Sequence, residues 1–151
     1  MDSSVPILTK RPIKIKHKQT GKYMYIKTSW GNDYISLSEK YSIFYINIYN
    51  TKDGALIPYN KKITIESRGT GQRMYERLLT GYISFENRIY YPGSESNCIL
   101  IKSSSNNENH VCDSDEVLIR NDLWHDKSMK ISDGWLTCEE NGDVWILENV
   151  N

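Results

Sequence analysis

The chain has 151 residues, 38% of them hydrophobic and 25% charged, with 19 basic against 19 acidic side chains and a formal net charge of zero. That length suits one domain around one core, and the balanced charge excludes a global pull toward nucleic acid or membrane surfaces. Three scattered cysteines, Cys98, Cys112 and Cys138, exclude a disulfide framework and a C-x-x-C metal spacing.

From the amino end, Met1 to Pro6 shows no charged start leading into an apolar run, so no signal peptide is expected. No apolar stretch reaches the roughly 18 residues of a spanning helix. With the odd cysteine count, this points to a reducing compartment, the cytosol. Charge is polarised along the chain. Lys10, Arg11, Lys14, Lys16, Lys18, Lys22 and Lys27 oppose Asp2 alone in residues 1–30, whereas acids dominate from Ser104 onward.

Ile13-Lys14-Ile15-Lys16 alternates apolar and polar, as a half-buried strand does. His17 to Gly21 reads as a turn. Tyr23 to Ile26, Tyr34 to Leu37 and Ser42 to Ile46 are further strands, with Trp30 to Asp33 a turn between the first two. Thr51 to Lys62 is a linker. A second set follows: Ile63 to Ile65, the Thr70-Gly71 turn, Met74-Tyr75, Tyr82 to Phe85, an insert from Asn87 to Ser96, and Cys98 to Ile101. Ser103 to His110 reads as a polar loop. A third set comprises Val117 to Ile119, Met129 to Ile131, Trp135 to Cys138 and Val144 to Leu147. No window carries a sustained helical stripe with caps.

Thr20-Gly21-Lys22-Tyr23-Met24-Tyr25 is echoed by Thr70-Gly71-Gln72-Arg73-Met74-Tyr75, and the same offset carries Ile13 and Ile15 onto Ile63 and Ile65. Leu118, Asp126 and Met129 keep the spacing in a more diverged third copy. An internal repeat of this kind governs the architecture. The expectation is therefore an all-β fold, a β-trefoil of twelve short strands in three pseudo-repeats at about 12–50, 62–103 and 116–149, forming one domain over 1–151. Six strands would close as a barrel and three hairpins would cover one end. The inward set expected from period-2 patterning includes Ile13, Ile15, Met24, Ile26, Ile35, Leu37, Phe44, Ile46, Ile63, Ile65, Met74, Ile83, Phe85, Ile99, Ile101, Ile119, Met129, Ile131, Leu136, Trp145 and Leu147.

The Gly-x-Tyr-Met element, followed by Gly/Asp-aromatic-Ile and then Phe/Trp-x-Ile/Leu, resembles the repeat of the β-trefoil superfamily, in ricin-B-type lectins and fascins. The resemblance spans about residues 12–149 and implies a binding protein, without selecting the ligand. It also implies a sugar-site test. The positions matching the lectins' Gln-x-Trp are Ser42-Ile43-Phe44, Asn97-Cys98-Ile99 and Asp143-Val144-Trp145, and those matching the sugar-binding Asp are Tyr25, Tyr75 and Lys130. No repeat retains the glutamine or the carboxylate, which argues against a ricin-type site.

For chemistry, the chain lacks G-x-S-x-G, a Walker loop, H-E-x-x-H and G-x-G-x-x-G. His17, His110 and His125 fall in separate expected turns. A non-enzymatic protein without metal or cofactor is expected. Three surfaces remain as candidate binding sites. Tyr34, Tyr82 and Trp135 begin the third strand of each set and should point outward, with Trp30 in a neighbouring loop. Asp122, Trp124 and His125 form an acidic, aromatic turn that, with Trp135, would suit a glycan. Lys14, Lys16 and Lys18 form a basic strand that could meet nucleic acid or a ribonucleoprotein. A protein partner is the leading expectation, a glycan the alternative, and no membrane insertion is expected.

Overall fold

The structure, a computed structural model, describes residues 5–29, 32–68, 73–76, 83–86, 97–104, 107–122 and 127–150. Its strands are β1 (Ile13–His17), β2 (Tyr23–Ser29), β3 (Asn32–Ser38), β4 (Phe44–Asn47), β5 (Lys62–Ser67), β6 (Arg73–Glu76), β7 (Ile83–Glu86), β8 (Cys98–Lys102), β9 (Asp115–Asn121), β10 (Ser128–Ser132), β11 (Trp135–Glu139) and β12 (Trp145–Asn149). The all-β expectation holds. No helix among the described residues is long and apolar enough to cross a membrane.

Six strands close a ring. β1 pairs β12 and β4, β4 pairs β5, β5 pairs β8, β8 pairs β9, and β9 returns to β12, all antiparallel. Closure leaves these strands no free edge. β2–β3, β6–β7 and β10–β11 are hairpins attached to the ring through single residue pairs: Lys16↔Tyr23, Glu66↔Arg73 and Ser128↔Arg120.

The β-trefoil expectation is corrected here. The fold is a closed six-stranded barrel with further strands added to it unequally, and three equivalent four-stranded units do not describe it. β3 bonds laterally to β7 at Asp33↔Phe85 and Tyr34↔Ser84. Among the described residues β11 pairs only β10. Local strand patterns specify each hairpin but leave open which hairpin bonds to which, and the lateral β3–β7 ladder breaks the equivalence.

The opposite end of the barrel is closed by three isolated bridges, Pro6↔Cys112, Leu8↔Leu56 and Pro58↔His110. Ile7, Ile57 and Val111 lie between them, each fully buried. The Ile7 amide donates to the Val111 carbonyl (3.0 Å) and the Val111 amide to that of Ile57 (2.8 Å). A left-handed residue follows each segment: Lys10 (φ 62°), Asn60 (φ 62°) and Ser114 (φ 68°). Their amides donate to the carbonyls of Ile46, Leu100 and Leu147. Those bonds hold a conformation that otherwise costs about 1–2 kcal/mol per residue.

Five ring strands bury alternate residues, as in β1 and β9, whereas β5 buries Ile63 to Ser67 without a break. The core joins Ile13, Ile15, Met24, Ile35, Phe44, Ile46, Ile63, Ile65, Ile119, Met129, Leu136, Trp145 and Leu147, as expected. Ile26, Leu37 and Ile131 pack on it only partly buried. One register is corrected: β8 buries Cys98 and Leu100, whereas Ile99 and Ile101 are half-buried. Met74, Ile83 and Phe85 fall outside the described side chains. The Trp145 indole satisfies its buried N–H by donating to the Met129 carbonyl (3.1 Å).

Candidate binding surfaces

The basic strand is charge-compensated along most of its length. Lys18 pairs with Glu116 of β9 at 2.7 Å, and Lys16 with Glu148 of β12 at 3.6 Å. Strand alternation aims these lysines outward, and the closed ring sets glutamates of β9 and β12 within reach. Lys14 differs. Its ammonium lies 5.1 Å from the Tyr23 ring centre and 4.7 Å from that of Tyr41; Glu148 faces Lys14 across the ladder, but its carboxylate is ion-paired with Lys16. Lys16 also approaches the Tyr23 ring, at 5.5 Å. The two tyrosines meet at 5.6 Å with ring planes 59° apart. Ser42 positions Tyr41: its hydroxyl accepts from the Ile26 amide (2.9 Å) and its amide donates to the Met24 carbonyl (3.1 Å). The Tyr23 hydroxyl donates to Glu148 (3.2 Å).

Two of the three strand-opening aromatics come together. Tyr34 and Trp135 meet edge to face, centroids 5.7 Å apart at 69°. Asp133 (φ 53°) and Gly134 (φ 83°) make the tight left-handed turn that joins β10 to β11. The Ser36 hydroxyl donates to the Gly134 carbonyl at 2.9 Å, tying this turn to β3. Both rings are half-buried, so part of their surface packs the hairpins against each other. Trp30, Tyr82, Trp124 and His125 lie outside the described residues.

Asp122 is buried, and its carboxylate faces the Lys62 ammonium at 3.4 Å, which occupies the group a glycan would need. His17 is not in a turn. It ends β1, is buried, and meets the Trp145 ring at a tilt of 55° with centroids 4.8 Å apart. Nδ1 bonds Thr20 Oγ1 (2.9 Å) and Nε2 bonds Asp143 Oδ2 (2.8 Å). His110 sits in the bridge to Pro58. Beside it, Tyr59 donates a short hydrogen bond to Asp115, which also accepts from the Cys112 amide (2.8 Å). Burial first, then that bond and the Asp115 charge, push the Tyr59 phenol far above its ordinary range.

An open depression of about 390 Å³ lies along the β10–β11 hairpin, lined by Lys127, Lys130, Cys138, Glu139, Glu140 and Asn141. Its charges cancel, so it favours no single-sign ligand. No group of three or more His, Cys, Asp or Glu among the described residues could hold a metal ion. Tyr41 and Glu148 were missed from the sequence because one lies in the segment between β3 and β4 and the other on a strand distant along the chain. The Lys14 alternation and the nearby Tyr23 were the only available signals.

No protein-family model matches the chain. No curated protein matches it either. Solved structures do. The lysenin pore aligns over 100% of this chain and 49% of its own, at 18% identity and TM-score 0.77. Lysenin in complex with phosphocholine aligns over 97% of this chain and 47% of its own, at 19% and 0.74. The water-soluble chlorophyll protein of Brassica oleracea var. Botrytis, with chlorophyll b, aligns over 97% and 94%, at 8% and 0.68. The chain thus spans about half the length of the lysenin chains it matches, and at these identities the likeness is one of fold. None of these three is a ricin-B-type lectin or a fascin, and the resemblance to those β-trefoils is corrected accordingly. The motif behind it has a local cause: Gly21 (φ 74°) supplies the turn into β2, and Met24 is fully buried beneath it.

Proposed function

We propose that the chain is a non-catalytic binding module for a macromolecular partner, a protein first, met at the hairpin end through Tyr34 and Trp135. One observation carries this reading: hairpins remote in sequence converge to set two half-exposed aromatic rings edge to face. Such rings offer contact area with few torsions to freeze. Solved structures of like fold include proteins with bound ligands, phosphocholine in lysenin and chlorophyll b in the chlorophyll protein. The non-catalytic part is supported by His17, whose two ring nitrogens are both engaged. A single domain over 1–151 and a cytosolic setting, with the three buried cysteines outside any disulfide, belong to the same proposal.

A benzophenone amino acid in place of Tyr34 or Trp135 tests it by photo-cross-linking in native extract. Adducts are expected from these positions and not from Tyr49, which is exposed on the segment after β4. Equal labelling from all three would reject the surface.

A glycan is the second reading, favoured by the half-exposed Trp135 ring, onto which a sugar face could stack. The engagement of Asp122 with Lys62 counts against it. A glycan array without hits removes it.

A further inference from the structure

A second surface on the barrel wall is built differently from the hairpin end. Lys14 and Lys16 alternate along β1 and Lys18 follows its end, yet their ammonium groups have different neighbours. Lys18 and Lys16 face Glu116 and Glu148. Lys14 stands on two tyrosine rings; Glu148 is its partner across the β1–β12 ladder, but that carboxylate is taken by Lys16 and by the Tyr23 hydroxyl. A cation over aromatic faces is held in place, and an ammonium with three N–H donors retains one to present to an anion. Lysine carries a large rotamer entropy, so an ammonium already confined by Tyr23 and Tyr41 loses less on meeting an anion. Tyr41, 41% exposed, extends an apolar ring beside that ammonium. Lys16 adds a second positive charge whose partner, Glu148, also accepts from Tyr23.

From this we infer that Lys14, Tyr23 and Tyr41 form a site for an organic phosphate monoester. The oxyanion meets the Lys14 ammonium, with Lys16 in support, and the organic group lies on the Tyr41 ring. Two observations favour a monoester over an extended polyanion. Lys18 and Lys16 are already paired along the strand, so no continuous basic track runs there. The aromatic surface sits on one side of the ammonium only, which suits a compact group with a charged head and an apolar body. The site is separate from the hairpin aromatics: Tyr23 pairs Ser38, and Tyr34 lies four residues along β3, about 13 Å away.

The test is titration of the whole chain with phenyl phosphate, followed through the ring resonances of Tyr23 and Tyr41. Saturable shifts are expected, with affinity falling about tenfold in Lys14→Gln, the loss of one charge-assisted hydrogen bond. Lys18→Gln, at a position more exposed to bulk anion than Lys14 but ion-paired with Glu116, should change it less than about twofold. Tyr41→Ala should weaken phenyl phosphate more than inorganic phosphate, because only the ester loses a ring contact beyond the ammonium. Vesicles of phosphatidylcholine with and without phosphatidic acid identify the source: vesicle binding that requires both phosphatidic acid and Lys14 assigns the ester to a lipid surface, and binding of phenyl phosphate alone assigns it to a soluble compound. Absence of saturation in both arms, or equal losses in Lys14→Gln and Lys18→Gln, overturns the inference. Unchanged melting of the variants confirms that folding is not being read.

Discussion

His17 and Asp143 stand 126 residues apart in sequence and share a hydrogen bond of 2.8 Å in the folded chain. The bond ties the end of β1 to the segment entering β12. Asp143 Oδ2 also accepts from the Ile131 amide (3.0 Å), so one carboxylate serves β1 and β10 together. Asp143→Ala should lower stability by about 2 kcal/mol or more, because it leaves the buried imidazole and that amide without an acceptor. Asp143→Asn, which retains an oxygen, should lose less. Urea unfolding with unchanged slope would register both.

Tyr59 and Asp115 set an alkaline limit. Burial and the acid hold the phenol protonated well above its ordinary 10.0. In the unfolded chain Tyr59 ionises from about pH 10, so the unfolded state there binds fewer protons than the folded one. This contribution is complete below that pH and declines as pH rises. Tyr59→Phe should be less stable by about 2 kcal/mol at neutral pH, having lost a bond to a charged acceptor, and should show a shallower decline above about pH 10. Parallel urea series at neutral and alkaline pH check both halves.

The bridge-closed end separates burial from exposure within one tripeptide. Ile57 is fully buried, and its neighbour Leu56 is 51% exposed. Ile57→Ala should cost about 2–5 kcal/mol. Leu56→Ala should stay within about 0.5 kcal/mol. Equal effects would show that the three bridges do not close a packed end.

Two glycines should respond for different reasons. At Gly134 an added Cβ meets open space, but φ is +83°. Gly134→Ala should cost about 1–2 kcal/mol from backbone strain, and Asn should recover part of it. At Gly142 a Cβ would lie 1.8 Å from the Ser128 hydroxyl oxygen and 2.8 Å from Ser128 backbone carbon. Gly142→Ala should cost about 1–3 kcal/mol through overpacking, and Asn there should bring no recovery. Thermal melts of the four variants distinguish strain from crowding.

Where alternation is clean, the strands were legible. Ile13-Lys14-Ile15-Lys16 buries its isoleucines as the pattern requires. Cys98 to Ile101 is an unbroken apolar run, and such a run has no period to read. Its register comes from pairing with β9, Cys98↔Asn121 and Leu100↔Ile119, and a one-residue slip exchanges the faces. Ile7, Ile57 and Val111 escaped notice because a single-residue bridge is too short to alternate. The lateral β3–β7 pairing, which removes the equivalence of the hairpins, depends on long-range packing that no local motif encodes. At the candidate sites, residue types were visible but neighbours were not. Lys14, Lys16 and Lys18 look alike in the sequence, and only the ring closure gives Lys16 and Lys18 their glutamate ion pairs and sets Lys14 over both Tyr23 and Tyr41.

β1 and β12 are paired from Ile13↔Asn149 to His17↔Trp145, and the Val150 amide donates to the Pro12 carbonyl at 3.0 Å. The barrel's first and last strands are therefore immediate neighbours. A circular permutant that links them covalently and opens the chain between β8 and β9 would preserve every pair in the ring. In such a molecule the order of synthesis changes while the contacts do not, so the seam between β12 and β1 becomes a local hairpin that can form early.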